Sequence, residues 1–233
     1  MSESTVALLP MKAHSERVPN KNFRRFAGRP LFQWILDALL DVAKIDCVLI
    51  NTDARSILLE AGLRESSRVV IRDRAPELCG DLVSMNKILE DDIESLAADR
   101  YVMSHATSPL ITAATITKAI EYFDDHRHSI DSLFSVNRVQ SRFYRQDMTA
   151  VNHDPNKLIR TQDLEPWYEE NSCIYVFTRE SFAATGARIG TKPGFFVTPR
   201  LESVDIDDDD DWKLAEALAR SSVAAVVSSS NDA

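Results

Sequence analysis

Short apolar runs along this chain alternate with stretches whose apolar residues recur every three to four positions. The runs Val6–Pro10, Cys47–Thr52, Val69–Arg72, Tyr101–Ala106, Leu133–Val139, Ile174–Thr178 and Ser203–Ile206 read as strands, since a strand covered on both faces is apolar throughout. Between them Leu31, Trp34, Ile35, Ala38, Leu39 and Val42 form a helical stripe. Met85, Ile88, Leu89, Ile93 and Leu96 form a second stripe, and Ile116, Ile120 and Phe123 a third. Strands alternating with helices predict one α/β domain over residues 1–220 with a mostly parallel sheet. The low-complexity end, 221–233, reads as a flexible tail.

Two stretches break this alternation. Met11 to Pro30 has no periodicity, yet it joins the first strand to the first helix. Such connections usually take about 2–6 residues, and much longer ones are commonly functional. In an open parallel sheet the loop emerges at the carboxyl ends of the strands, where ligands bind. The second break, about 140–170, is polar and rich in Arg, Asp, Asn and Pro. It reads either as a solvated insertion or as an arm exchanged with a second subunit.

Charge sharpens the first break. Residues 12–29 carry six basic side chains (Lys12, Arg17, Lys21, Arg24, Arg25, Arg29) and one acid, Glu16, in a 233-residue chain whose net charge is −9. A basic loop at the strand ends of an acidic protein suits a small polyanion, whereas the overall charge argues against nucleic-acid and membrane-surface binding. Only 6 glycines occur, and neither Gly-rich nucleotide fingerprint is present. The three cysteines are scattered without a C-x-x-C, and the N-terminal apolar run is short, so a reduced, cytoplasmic protein is expected.

The opposite pole is the acidic run Asp205–Asp211. A helix cap and first turn account for Asp208 to Asp211. Asp205 and Asp207 lie in a strand pattern, whose period of two puts both carboxylates on one face. Two hard oxygen ligands there suit Mg²⁺, which typically takes one or two carboxylates plus waters and phosphates. A cation pair facing a basic phosphate loop is an arrangement for phosphoryl or nucleotidyl transfer.

The segment LLPMKAHSERVPNKN (8–22) resembles the opening motif of the acylneuraminate cytidylyltransferases. NTD (51–53), RAPELCGDLVS (74–84), ATSPL (106–110), RTQDLEPWYEENSCIYVF (160–177) and ESVDID (202–207) follow in the family order. The resemblance implies a Rossmann-like nucleotidyltransferase fold with a protruding dimerisation arm, and a homodimer whose arm completes the partner's site. It implies joining of CTP and a 2-keto-3-deoxy sugar acid, with Mg²⁺, to give a CMP-sugar and pyrophosphate. By the same resemblance Lys12, Ser15, Arg17 and Lys21 would hold the CTP phosphates, with Asn22 beside them. Arg74 and Ser84 would fall near the cytidine. Arg160, Gln162, Tyr168 and Asn171 would line the sugar pocket, with Arg160 on the sugar carboxylate. Asp205 and Asp207 would bind the metal and, with Lys21, carry catalysis.

The chain departs from the family at two places. The family's A-R-G-G-S-K-G is here Met11-Lys12-Ala13-His14-Ser15-Glu16-Arg17, which trades a bidentate arginine for a point charge and removes two glycines. His105 stands where a sugar-contacting Gln is usual. A nine-carbon, sialic-like acid is the expected substrate; activation of 3-deoxy-manno-octulosonate, or nucleotide binding without turnover, are the alternatives. His14 is read evenly as a phosphate donor or a bystander, and Asp53 as a helix cap or a site residue.

Overall fold

The computed structural model describes residues 3–15 and 17–231, with side chains to residue 221; Met1, Ser2, Glu16 and 232–233 lie outside it. Strand β1 (Thr5–Leu8) is followed by the long basic loop, which folds a small antiparallel ribbon from β2 (Arg25–Phe26) and β3 (Arg29–Pro30). Helix α1 (Leu31–Leu40), β4 (Cys47–Thr52), α2 (Arg55–Glu60) and β5 (Val69–Asp73) come next. Then follow α3 (Met85–Ser95), β6 (Arg100–Met103), α4 (Ala113–His126) and β7 (Ser132–Val139). The chain ends with β8 (Trp167–Phe177), α5 (Arg179–Thr185), β9 (Pro193–Val197) and α6 (Asp209–Asn231). Helix α6 thus runs on through the stretch read as a tail.

The seven-stranded sheet has the order β5-β4-β1-β6-β8-β7-β9. It is parallel except for β8, which runs antiparallel to β6 and β7. Successive residues of β1 feed opposite faces. Ala7 joins a core with Phe32, Ile35 and Leu39 of α1, Leu58 of α2, and Ile116, Ile120 and Phe123 of α4. Val6 and Leu8 join Leu89 and Ile93 of α3 and Phe182 of α5. Helices on both faces explain why the strands carry no polar alternation. A third cluster seats Trp212 and Ala215 of α6 on Val18, Phe26 and Leu31.

The strand at Cys47–Thr52 falls where the sequence predicts it, and other boundaries shift by one to several residues. Ser203–Ile206 is a correction: it has no regular structure and joins no sheet ladder, and its Ile206 amide bonds to the Thr107 carbonyl at 2.9 Å. The alternation read there holds nonetheless, because Ile206 and Val204 turn into the third cluster. The second break is an irregular excursion between β7 and β8, whose second strand starts at Trp167, inside the expected arm. Among the described residues no helix is long and apolar enough to cross a membrane.

Candidate active site

Beyond β1 the chain continues alongside β4, with Leu9 and Met11 amides bonded to the Leu49 and Asn51 carbonyls at 2.9 Å. It then leaves at the carboxyl end, where β4 lies on one side of β1 and β6 on the other. The Ala13 amide donates to Asp53 Oδ1 at 2.6 Å, and Asn22 Nδ2 donates to the Lys12 carbonyl at 3.0 Å. Asp53 is therefore a brace for the loop; α2 has Ala54 at its N-cap and no side-chain cap bond. Neither Ala13 nor His14 has positive φ, so this loop makes its turn without the two glycines. Positive φ comes later in the loop, at Asn20 (53°), Ala27 (44°) and Gly28 (99°), and the Asn20 carbonyl accepts from the Phe23 and Arg24 amides at 2.9 Å.

The six basic side chains divide in two. Lys12, Arg17 and Lys21 line a cleft of about 340 Å³ with Ser15, Asn22, Arg74, His105 and Thr107. Arg24 instead lies over Trp212, 4.3 Å from its ring centre, and pairs with Asp209 at 3.1 Å. Arg29 covers Trp34 and pairs with Asp37, and Arg25 donates to the Gly28 carbonyl. Half of the charge that marked this loop thus fastens the ribbon and its helices. His14 is exposed and does not line the cleft.

The two carboxylates read as metal ligands border this cleft. Asp207 pairs with Arg17 at 3.0 Å and Lys21 at 3.7 Å, and Lys21 Nζ donates to the Ile206 carbonyl at 2.5 Å. Burial pushes the Lys21 ammonium below its ordinary pKa, while Asp207 and Asp205 pull it back up. Asp205 Oδ1 is buried without a hydrogen-bond partner, and burial raises the Asp205 carboxyl's pKa. An orphaned carboxylate oxygen next to a second carboxylate fits a divalent cation. Asp208 Oδ1 accepts from the Asp210 and Asp211 amides at 2.9 and 3.0 Å, so the rest of the acidic run caps α6 as expected.

Arg74 forms the base of the cleft: its Nε donates to Asn51 Oδ1 at 2.8 Å and its Nη2 to the Met11 and Asn51 carbonyls at 3.0 Å. Ser84 sits at the N-cap of α3, and its neighbours Val83 and Met85 line the cleft in its place. Asp81, absent from the sequence prediction, pairs with Lys12.

Of the residues expected around the sugar, His105 alone lines the cleft. Burial, then repulsion from Arg188 and Lys21, pushes its imidazole down to about 4, so it is neutral at pH 7. Arg160 and Gln162 are exposed in the excursion, with Arg160 paired to Asp163 at 2.8 Å. Tyr168 packs on Phe195, ring centres 4.4 Å apart. Asn171 is fully committed internally: it accepts from Ser135 Oγ and the Cys173 amide and donates to Asn137 and Thr198. That amide fills the irregularity where the β7–β8 register shifts between Phe134 and Val136. The sequence reading also missed Arg188, which lies 4.2 Å from the Tyr175 ring centre and donates to its hydroxyl at 3.1 Å. No periodicity marks an arginine brought in by the turn after α5.

A family model described as cytidylyltransferase matches residues 6–219. The chain is 26% identical over 223 residues to an N-acylneuraminate cytidylyltransferase of Streptococcus agalactiae, covering 89% of this chain and 51% of that protein. It is 25% identical over 225 residues to a pseudaminic acid cytidylyltransferase of Campylobacter jejuni, covering 91% and 95%. The chain spans about half the length of the first of these and nearly all of the second. Among solved structures, a CMP:2-keto-3-deoxy-manno-octonic acid synthetase complexed with CTP superposes with a TM-score of 0.65 at 15% identity, covering 94% of this chain and 99% of that one.

Proposed function

The chain belongs to the cytidylyltransferase family, and on that premise we propose that it joins CTP to a 2-keto-3-deoxy sugar acid of the nine-carbon, sialic-like class. The sugar's anomeric hydroxyl oxygen bonds to the α-phosphorus of CTP, the bond from that phosphorus to the bridging oxygen breaks, and pyrophosphate leaves. The hydroxyl proton passes to water. One observation carries the reading: Lys12, Arg17, Lys21 and Arg74 share a cleft at the strand ends, bordered by Asp205 and Asp207.

Catalysis here is positioning and charge stabilisation, with little covalent work for the protein. Lys12, Arg17 and Lys21 neutralise the charge that builds on the departing pyrophosphate. Arg74 orients the nucleotide from below. Neutral His105 exchanges hydrogen bonds with sugar hydroxyls. Asp205 and Asp207 would hold Mg²⁺, which supplies charge neutralisation at the α-phosphate and acidifies the attacking hydroxyl.

Arg160, Gln162 and Tyr168 are exposed and stand off the cleft of their own chain. That placement suits a homodimer in which the excursion between β7 and β8 completes the partner's sugar pocket. The test is pyrophosphate release from CTP and Mg²⁺ with a panel of nine- and eight-carbon 2-keto-3-deoxy acids, with UTP and Asp207→Asn as controls. Acid-dependent, CTP-selective release that Asp207→Asn abolishes is expected. Near-normal turnover by Asp207→Asn at saturating Mg²⁺ removes the metal role, and silence across the panel with CTP still bound favours a binding protein.

A further inference from the structure

Beneath the cleft floor runs a second polar chain that the functional reading leaves unused. Asn51 on β4 and Asp92 on α3 are both fully buried. Asn51 Nδ2 donates to Asp92 Oδ1 at 2.7 Å, while Asn51 Oδ1 accepts from Arg74 Nε at 2.8 Å. Asp92 Oδ2 has no hydrogen-bond partner, which is a costly state for a buried carboxyl oxygen. The charged groups around Asp92 are Asp91 on its own helix, already paired with Arg72 at 2.7 Å, Arg72 itself at 3.9 Å, and Arg74. Asp92 therefore makes no close ion pair, and its defined bond is the one to the Asn51 amide.

That bond has a directional consequence. An asparagine amide has a donor end and an acceptor end, and the two are nearly equal in shape. Without an acceptor on the helix side, the buried Nδ2 would lose its partner and the Arg74 bond alone would hold the amide against turning its N–H groups toward a guanidinium that only donates. Arg74 has five N–H groups; Nε and Nη2 are bonded to Asn51 and Met11, and Nη1 makes no hydrogen bond within the described residues. The Nε–H and both Nη2 N–H groups are thereby used, so the donors left for the cleft are those of Nη1, which can reach an acceptor at N3 of a base but not an N–H there. Cytosine offers adjacent acceptors at O2 and N3, whereas uracil has an N–H at N3.

We propose that Asp92 is a positioning residue for nucleotide selection: by fixing the Asn51 amide it holds Arg74 so that its unused Nη1 donors prefer cytosine over uracil. This rests on the cytidylyltransferase reading of the cleft. What the relay needs is an acceptor at Asp92 Oδ1, not a charge.

Calorimetric CTP and UTP affinities of Asp92→Leu, Asp92→Asn and Asn51→Ala, beside pyrophosphate release, test it. Asp92→Leu and Asn51→Ala are expected to weaken CTP roughly tenfold, the effect of one lost hydrogen bond to an ion, and UTP much less, so that the CTP:UTP ratio collapses while kcat at saturating CTP changes less. Asp92→Asn, whose carbonyl can still accept, is expected to stay within about twofold of the parent protein. Retention of the CTP:UTP ratio by Asp92→Leu or by Asn51→Ala overturns the proposal, as does Asp92→Asn behaving like Asp92→Leu. Should Asp92→Leu not fold, the other two variants decide it. A parent protein with no CTP preference at all fails a different claim, the functional reading itself.

Discussion

At the scale of single residues, environment has separated groups that look alike in sequence. Of six basic side chains in one loop, three face the cleft and three are spent on Trp34, Trp212, Asp37, Asp209 and a backbone carbonyl. Replacing Lys21 by Met is expected to lower turnover about a hundredfold or more, as removal of a preorganised charge does. Arg24→Met should chiefly lower thermal stability, with saturating kcat little changed. His105 is pushed down to about 4 and is uncharged across pH 5–8. His105→Gln, a neutral hydrogen bonder, should therefore leave the shape of the pH–kcat/KM profile unaltered over that range. A shifted acid limb would show that the imidazole titrates in the working range. Burial raises Asp92 to about 7, above its ordinary value. A raised carboxyl pKa means the unfolded chain ionises first, so stability falls as pH rises from about 4 to about 7 and is level above that. The Tm of Asp92→Asn relative to the parent should accordingly climb over the same window and then flatten.

At the scale of elements, caps and turns set the boundaries that position the site. Helix α5 opens with a reciprocal Thr178–Ser181 capping box and closes on Gly186 at φ 66°, a left-handed conformation that disfavours a side chain. That turn delivers Arg188 against Tyr175. Thr178→Ala should cost about 1 kcal/mol of stability, read by urea unfolding, and Gly186→Ala about the same or slightly more. Element reading from sequence succeeded where both faces of a strand are covered, as at Cys47–Thr52. It failed at Pro193–Val197, where Pro and Gly open an edge strand that is mostly exposed and so lacks the buried-strand signature. Asp92 was visible in principle. It lies four residues after Ile88 and three after Leu89, on the apolar stripe of α3, and a carboxylate there needs a reason.

At the scale of the whole molecule, the cleft forms where β1 is flanked by β4 and β6, and residues from five separate segments of chain meet around it. The excursion between β7 and β8 contributes no residue to the lining of this cleft and leaves Leu158 83% exposed. If that arm docks on a second copy, Leu158→Asp should shift sedimentation from dimer toward monomer and lower turnover together. An unchanged mass would leave the arm as a solvated insertion. The sequence alone determined the α/β class, the basic loop at the strand ends, the two carboxylates and the family, because periodicity, local charge and ordered motifs are properties of neighbours in the chain. Only the tertiary structure decided which arginines reach the cleft, that Asp53 braces the loop, that Asn171 is spent on a sheet irregularity, and that Asp92 stands behind Arg74. Those outcomes depend on which side chains, tens of residues apart, compete for the same hydrogen-bond partners once the sheet has brought them together.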